Sequence, residues 1–192
     1  MGRKDTELEL KKKTKTRAEN IREWIRDLAI AVILAAIFMQ FIMPTIVRQH
    51  SMENTLQQND YVFVSKRHYT WFGNDIARGD IIIFNSNLPT DTGGRKLLVK
   101  RVIGLPGERV EIKDGAVYIN GERLDEEYTK DGYTDGEMAE VTVPEGTIFV
   151  LGDNRQNSTD SRSASVGFID INAIRGKVML RIFPLSGFGT VD

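Results

Sequence analysis

A run of twenty residues, Leu28 to Val47 (LAIAVILAAIFMQFIMPTIV), departs from membrane-compatible side chains only at Gln40, Pro44 and Thr45. A helix over it, at about 1.5 Å per residue, reaches roughly 30 Å, the thickness of a bilayer's hydrocarbon core. A transmembrane anchor over residues 28–47 is therefore expected. The competing reading is a cleaved secretory signal, but the polar segment ahead is long for such a leader and no small-x-small site follows the run.

Lys and Arg resist translocation, and residues 1–27 carry Arg3, Lys4, Lys11, Lys12, Lys13, Lys15, Arg17, Arg22 and Arg26. The expected arrangement is a cytoplasmic amino-terminal arm over 1–27, a single pass through the cell membrane, and an extracytoplasmic domain over 48–192. Acidic residues are interspersed in the arm, which reads as a solvated flank rather than a nucleic-acid tail.

The exterior part comprises about 145 of the 192 residues, enough for one domain with a real core. The formal net charge of -1 argues against a dedicated nucleic-acid partner. There is no cysteine, which excludes thiol chemistry and Cys-ligated zinc, and His50 and His68 are the only histidines, so neither a metal nor another cofactor is expected.

Past the anchor, Gly, Pro, Asn and Asp punctuate segments rich in Val, Ile, Phe and Tyr, the pattern of a mainly β domain. Strands are expected over Tyr61 to Ser65, Asp80 to Phe84, Leu97 to Ile103, Arg109 to Ile112, Ala116 to Ile119, Thr147 to Val150 and Lys177 to Phe183. Asp114-Gly115 and Asn120-Gly121 supply the positive φ angles of tight hairpin turns. The acidic, aliphatic-poor stretch Asp125 to Glu140 reads as a loop within a small insertion over roughly 120–142.

Lys100 lies in LLVKRVIG, where strand alternation puts Leu98, Lys100 and Val102 on one face. Such an ammonium loses hydration. Bringing its pKa from about 10.4 to about 7–8 costs roughly 3–5 kcal/mol, within the reach of burial, and yields a general base near neutral pH. Most strand lysines instead snorkel to solvent or pair with a carboxylate. Ser51, four residues past the apolar run, is a candidate nucleophile. A third segment, GDNRQNSTDSR from Gly152 to Arg162, reads either as a well-bonded surface loop or as an active-site wall in which a hydroxyl such as that of Ser158 orients the lysine.

SMENTL at Ser51 to Leu56, RGDIIIF at Arg78 to Phe84, KRVIGLPGE at Lys100 to Glu108 and GDNRQNSTDSR resemble, in order, the four sequence boxes of bacterial type I signal peptidases, following a single anchor as in Gram-positive-type members. The resemblance spans the chain from the anchor to Phe183. It implies that Ser51 is the nucleophile, Lys100 the general base, Ser158 the hydroxyl that positions the lysine, and Asp160 with Arg162 a supporting ion pair. Met52, Leu56 and Val99 correspond to positions near the substrate-binding surface. Two positions depart from the pattern: Asn54 stands where the family usually has proline, and Gln49 where some members carry an oxyanion-binding serine and many a glycine. The oxyanion hole then rests on the Ser51 N–H, assisted by the Gln49 amide.

The expected activity is a membrane-bound serine endopeptidase that removes signal peptides from secretory precursor proteins after small residues of the Ala-x-Ala type, with the precursor and the lipid bilayer as partners. A Ser-His-Asp hydrolase would need His50 or His68, and no G-x-S-x-G elbow is present. A self-cleaving cytoplasmic repressor lacks a reason for the apolar run, and a cysteine-dependent sorting enzyme lacks its nucleophile. An anchored adhesin remains the alternative from another class, told apart by its inability to cut an Ala-x-Ala peptide.

Overall fold

The computed structural model describes residues 17–66, 69, 75–90 and 93–191, so most of the amino-terminal arm and His68 lie outside the described residues. The chain forms two compact units, residues 1–40 and 41–192.

The first unit holds all but the last residue of a helix, α1, Arg17–Phe41. The helix starts earlier and stops sooner than the expected span over 28–47. Its end has a local cause: Pro44 has no N–H to donate to the preceding turn, its ring clashes with a helical carbonyl, and the residue ahead of it is biased to extended backbone. The β-branched Ile42, Thr45, Ile46 and Val47 then favour a strand.

That strand is β1, Ile42–Ile46. The remaining strands are β2 Tyr61–Ser65, β3 Ile81–Pro89, β4 Arg95–Gly104, β5 Arg109–Lys113, β6 Ala116–Ile119, β7 Glu122–Arg123, β8 Met138–Thr142, β9 Thr147–Leu151, β10 Ile169–Asp170, β11 Ile174–Phe183 and β12 Gly189–Thr190. All seven expected strands are present, and the domain is mainly β.

One sheet has the order β1-β2-β11-β3-β4-β9-β10, with β12 on β11, and the second the order β7-β6-β5-β8. Among the described residues β1 pairs only with β2, so Pro44 sits on an edge strand, where a missing N–H is tolerated. The central strand β3 is apolar on both faces: Ile81 and Ile83 join Val47, Met52, Leu56, Val62, Val64 and Val178 in one core cluster. Ile82 and Phe84 join Leu98, Val102, Ile148 and Val150 in another. A continuous run such as IIIF is what a strand covered on both sides requires.

The second sheet is a meander built on the two expected turns. Asp114 and Gly115 have φ of 51° and 73°, and Asn120 and Gly121 of 53° and 87°, the signs a type I′ turn needs. Part of the stretch expected to be loop is instead β8, which pairs with β5. The pairing is with a strand some thirty residues earlier, so no local alternation announces it.

Candidate active site

The backbone after β1 winds into one tight turn. Leu56 N–H donates to the Met52 carbonyl at 2.8 Å, and Glu53 N–H to that of His50 at 3.1 Å. Met52 and Leu56, 1% and 0% exposed, plug this turn into the core and leave Ser51 at its rim.

Opposite stands Lys100 on β4, flanked as its alternation predicted by Leu98 and Val102 and paired in register with Ile82. Its side chain is buried at 1% exposure. Nζ lies 2.5 Å from Ser51 Oγ and donates to the Val99 carbonyl at 3.0 Å. Burial holds the amine down at about 8, against 10.5 for an ordinary lysine. Asp160 and Asp153 pull it upward, while Lys96 and Arg162 push it further down.

The loop after β9 forms the wall behind the pair. A Cβ at Gly152 would overlap Ser158 Oγ and the Ser51 carbonyl oxygen and lie 2.7 Å from Ser158 Cβ, so only glycine fits there. Asn154 N–H donates to the Ser51 carbonyl at 3.1 Å, tying this wall to the turn. Asp160 accepts from Arg162 Nε at 2.8 Å and Nη2 at 2.9 Å, and from Gly152 N–H at 3.1 Å, while Arg162 Nη2 also donates to the Arg155 carbonyl at 2.7 Å.

Several sequence expectations need revision. Ser158 does not hold the lysine: its Oγ is buried without a hydrogen-bond partner among the described residues, and the amine is engaged by Ser51 and Val99. Leu56 is wholly inside the core, because the tight turn points it inward. Met52 and Val99 do line a cavity beside Ser51, together with Gln49. The His50 ring is turned to the Glu53 carboxylate.

Three features were not legible in the sequence. Arg101, adjacent to Lys100 but on the other face of β4, forms a bidentate buried pair with Asp153, at 2.9 and 2.8 Å. The pair is completed by Thr55 donating to Asp153 at 2.5 Å, by Arg101 donating to the Gly79 carbonyl at 2.9 Å, and by the guanidinium 4.0 Å over the Tyr128 ring. An arginine in the middle of a two-faced apolar strand was the available signal, and it asks for a carboxylate. Arg155 is likewise buried against Glu126, at 2.5 Å. Lastly, the nucleophile's turn is clasped from the second-sheet segment: Lys130 pairs with Glu53 at 2.7 Å, and Asn54 Nδ2 donates to the Tyr128 carbonyl at 3.0 Å. Asn54 has φ of 99°, which proline could not adopt.

Two cavities meet at Ser51. One, of 320 Å³, is walled by Met43, Ile46, Met52, Ile83 and Val99. The other, of 290 Å³, is bounded by Leu88, Leu98, Lys100, Asn157 and Thr159. Among the described residues, β9 covers β4 only from Arg101 to Gly104, which leaves the Lys96 to Lys100 edge of β4 open opposite β3. No group of three or more His, Cys, Asp or Glu among the described residues is placed to hold a metal ion.

The family described as Signal peptidase, peptidase S26, matches residues 21–183. Signal peptidase I P of Bacillus subtilis subsp. natto is 37% identical over 184 residues, covering 91% of this chain and 95% of that protein. Signal peptidase I of Bacillus licheniformis is 34% identical over 192 residues, covering 94% and 98%. A crystal structure of a signal peptidase I from Enterococcus faecalis V583 is 37% identical and covers 54% of this chain and 97% of that one, with a TM-score of 0.45. With the family match running from within α1 to the end of β11 and relatives aligned along nearly their full lengths, the chain belongs to the signal peptidase family, peptidase S26.

Proposed function

We propose that Ser51 is the nucleophile and Lys100 the general base with which this serine endopeptidase removes amino-terminal signal peptides from preproteins. The observation that carries the assignment is the 2.5 Å approach of a buried lysine amine to a serine hydroxyl. Burial supplies the chemistry, since an amine held at about 8 is substantially neutral at mildly alkaline pH and can accept a proton.

In the proposed reaction Lys100 Nζ takes the Ser51 proton as Oγ attacks the scissile carbonyl. The Ser51 N–H, with the Gln49 amide beside it, receives the developing oxyanion. The ammonium of Lys100 then returns its proton to the leaving amine, and a water activated by the same amine releases the acyl group. Asp160 and Arg162 support the wall that carries Gly152, and the tie from Asn154 keeps that wall against Ser51.

The substrate adds as an extended strand to the open edge of β4. Its small side chains before the cut enter the apolar cavity of Met52 and Val99. The helix Glu19–Phe41 is long and apolar enough to cross a membrane. It serves as the anchor, its Arg17, Arg22 and Arg26 keeping the amino-terminal end cytoplasmic and the β domain on the other side. Ser51 follows Phe41, the last residue of that helix, by ten residues, at most about 35 Å of extended chain, so the nucleophile stays within reach of precursors held in the same bilayer.

Incubation of the detergent-solubilised protein with a secretory precursor, followed by mass-spectrometric mapping of the new amino terminus, tests the reading. A cut after a small residue that ends the apolar segment is expected, and Ser51→Ala and Lys100→Ala each abolish it while remaining folded. Retention of most of the activity by either variant overturns the dyad.

A further inference from the structure

The two cavities that meet at Ser51 share Arg48, Gln49, Ser51 and Lys96. Both shared charges are positive. Arg48 follows β1 and Lys96 lies on β4, so two different segments each bring a cation to the place beside Ser51 that both cavities share. Both side chains are exposed, and among the described residues neither has a carboxylate within ion-pair distance. Among the described residues no Asp or Glu lines either cavity. Lys96 is close enough to Lys100 to push its amine downward by charge repulsion, an independent sign that its field reaches the catalytic pair.

We infer that Arg48 and Lys96 form a cationic rim that selects precursors bearing Asp or Glu within the first two residues after the cut. The inference rests on the endopeptidase reading. The apolar cavity takes the small side chains ahead of the scissile bond, which leaves the second cavity, where Asn157 and Thr159 stand beside Leu88 and Leu98, to the residues beyond it. A carboxylate there meets both cations, whereas a lysine or arginine is repelled by both. Rim charges of this kind act chiefly through partner choice and encounter rate.

Internally quenched peptides with one apolar segment and one Ala-x-Ala site, differing only in Asp, Ala or Lys at the second residue after the cut, provide the test. Two exposed pairs, each of modest worth, favour Asp over Lys in kcat/KM by roughly tenfold, equivalent to about 1.4 kcal/mol. The preference collapses as ionic strength rises from about 0.01 M to about 1 M and the screening length shrinks roughly tenfold. Lys96→Glu and Arg48→Glu each reduce the Asp-to-Lys ratio, and the double variant inverts it. A ratio near one in the wild type, or one that both single variants leave unchanged, overturns the rim. Binding of the same peptides to Ser51→Ala by fluorescence anisotropy separates the two readings. Preference in binding without turnover by the wild type sinks the hydrolase and keeps the rim; turnover without preference keeps the hydrolase and sinks the rim.

Discussion

Titrating the enzyme from about pH 6 to about pH 10 switches Lys100 between its two forms, and the buried geometry fixes what that does. The descent from 10.5 to about 8 is equivalent to roughly 3 kcal/mol of unfavourable interaction of the ammonium with its surroundings. With a midpoint at about 8, roughly 1% of the amine is neutral two pH units lower, so with Lys100 as the proposed base kcat/KM is expected to climb nearly tenfold per unit and level off above the midpoint. Asp160 pulls the amine upward by its charge, so Asp160→Asn moves the midpoint of the profile down. Stability carries the same signature: between about 8 and 10.5 the unfolded chain binds the proton and the native chain does not, so stability rises with pH across that window. Lys100→Met, which removes the buried charge, accordingly stabilises the protein most below pH 8, by up to about 3 kcal/mol less the hydrogen bond lost by Ser51. Initial rates on a quenched peptide and thermal melts across the same buffers read both effects. A rate profile centred near the ordinary lysine value, or an upward shift in Asp160→Asn, refutes the burial argument.

Gly152→Ala forces a methyl against Ser158 and the Ser51 carbonyl, and is expected to cut kcat by more than about tenfold, roughly 1.4 kcal/mol of transition-state misalignment, with unchanged far-UV circular dichroism. Asn54→Pro demands a negative φ where the native value is 99° and removes the bond to Tyr128, so it is expected to cost about 1–3 kcal/mol in urea unfolding, whereas Asn54→Gly costs less. Asp153→Ala strands a guanidinium that is 2% exposed, with an expected loss of about 3–5 kcal/mol by the same assay. The double variant Arg101→Met with Asp153→Ala is expected to recover part of that loss, because no unpaired buried charge remains.

Much of the fold is legible along the chain because its signals are local. The IIIF run of β3, the alternation around Lys100 and the Asp-Gly and Asn-Gly turns each state their conformation within a few residues, and the structure follows them. The end of the apolar run is the instructive failure. Ile42 to Val47 are as hydrophobic as the helix before them, and hydropathy cannot separate a lipid-facing turn from an edge strand whose Val47 fills a protein core. Pro44 carried the information, through backbone geometry rather than hydrophobicity.

By itself the sequence determined the residue types of the site, its mainly β setting and an apolar helix ahead of it, since side-chain chemistry, turn propensity and hydrophobic period are properties of short segments. Only the tertiary structure decided which groups meet. It brought Ser51 to Lys100 across 49 residues, set Asp153 on Arg101 across 52, left the Ser158 hydroxyl without a partner among the described residues and turned Leu56 into the core. Those outcomes depend on strand register and on the closeness that Gly152 permits, and these are fixed by packing the whole core at once.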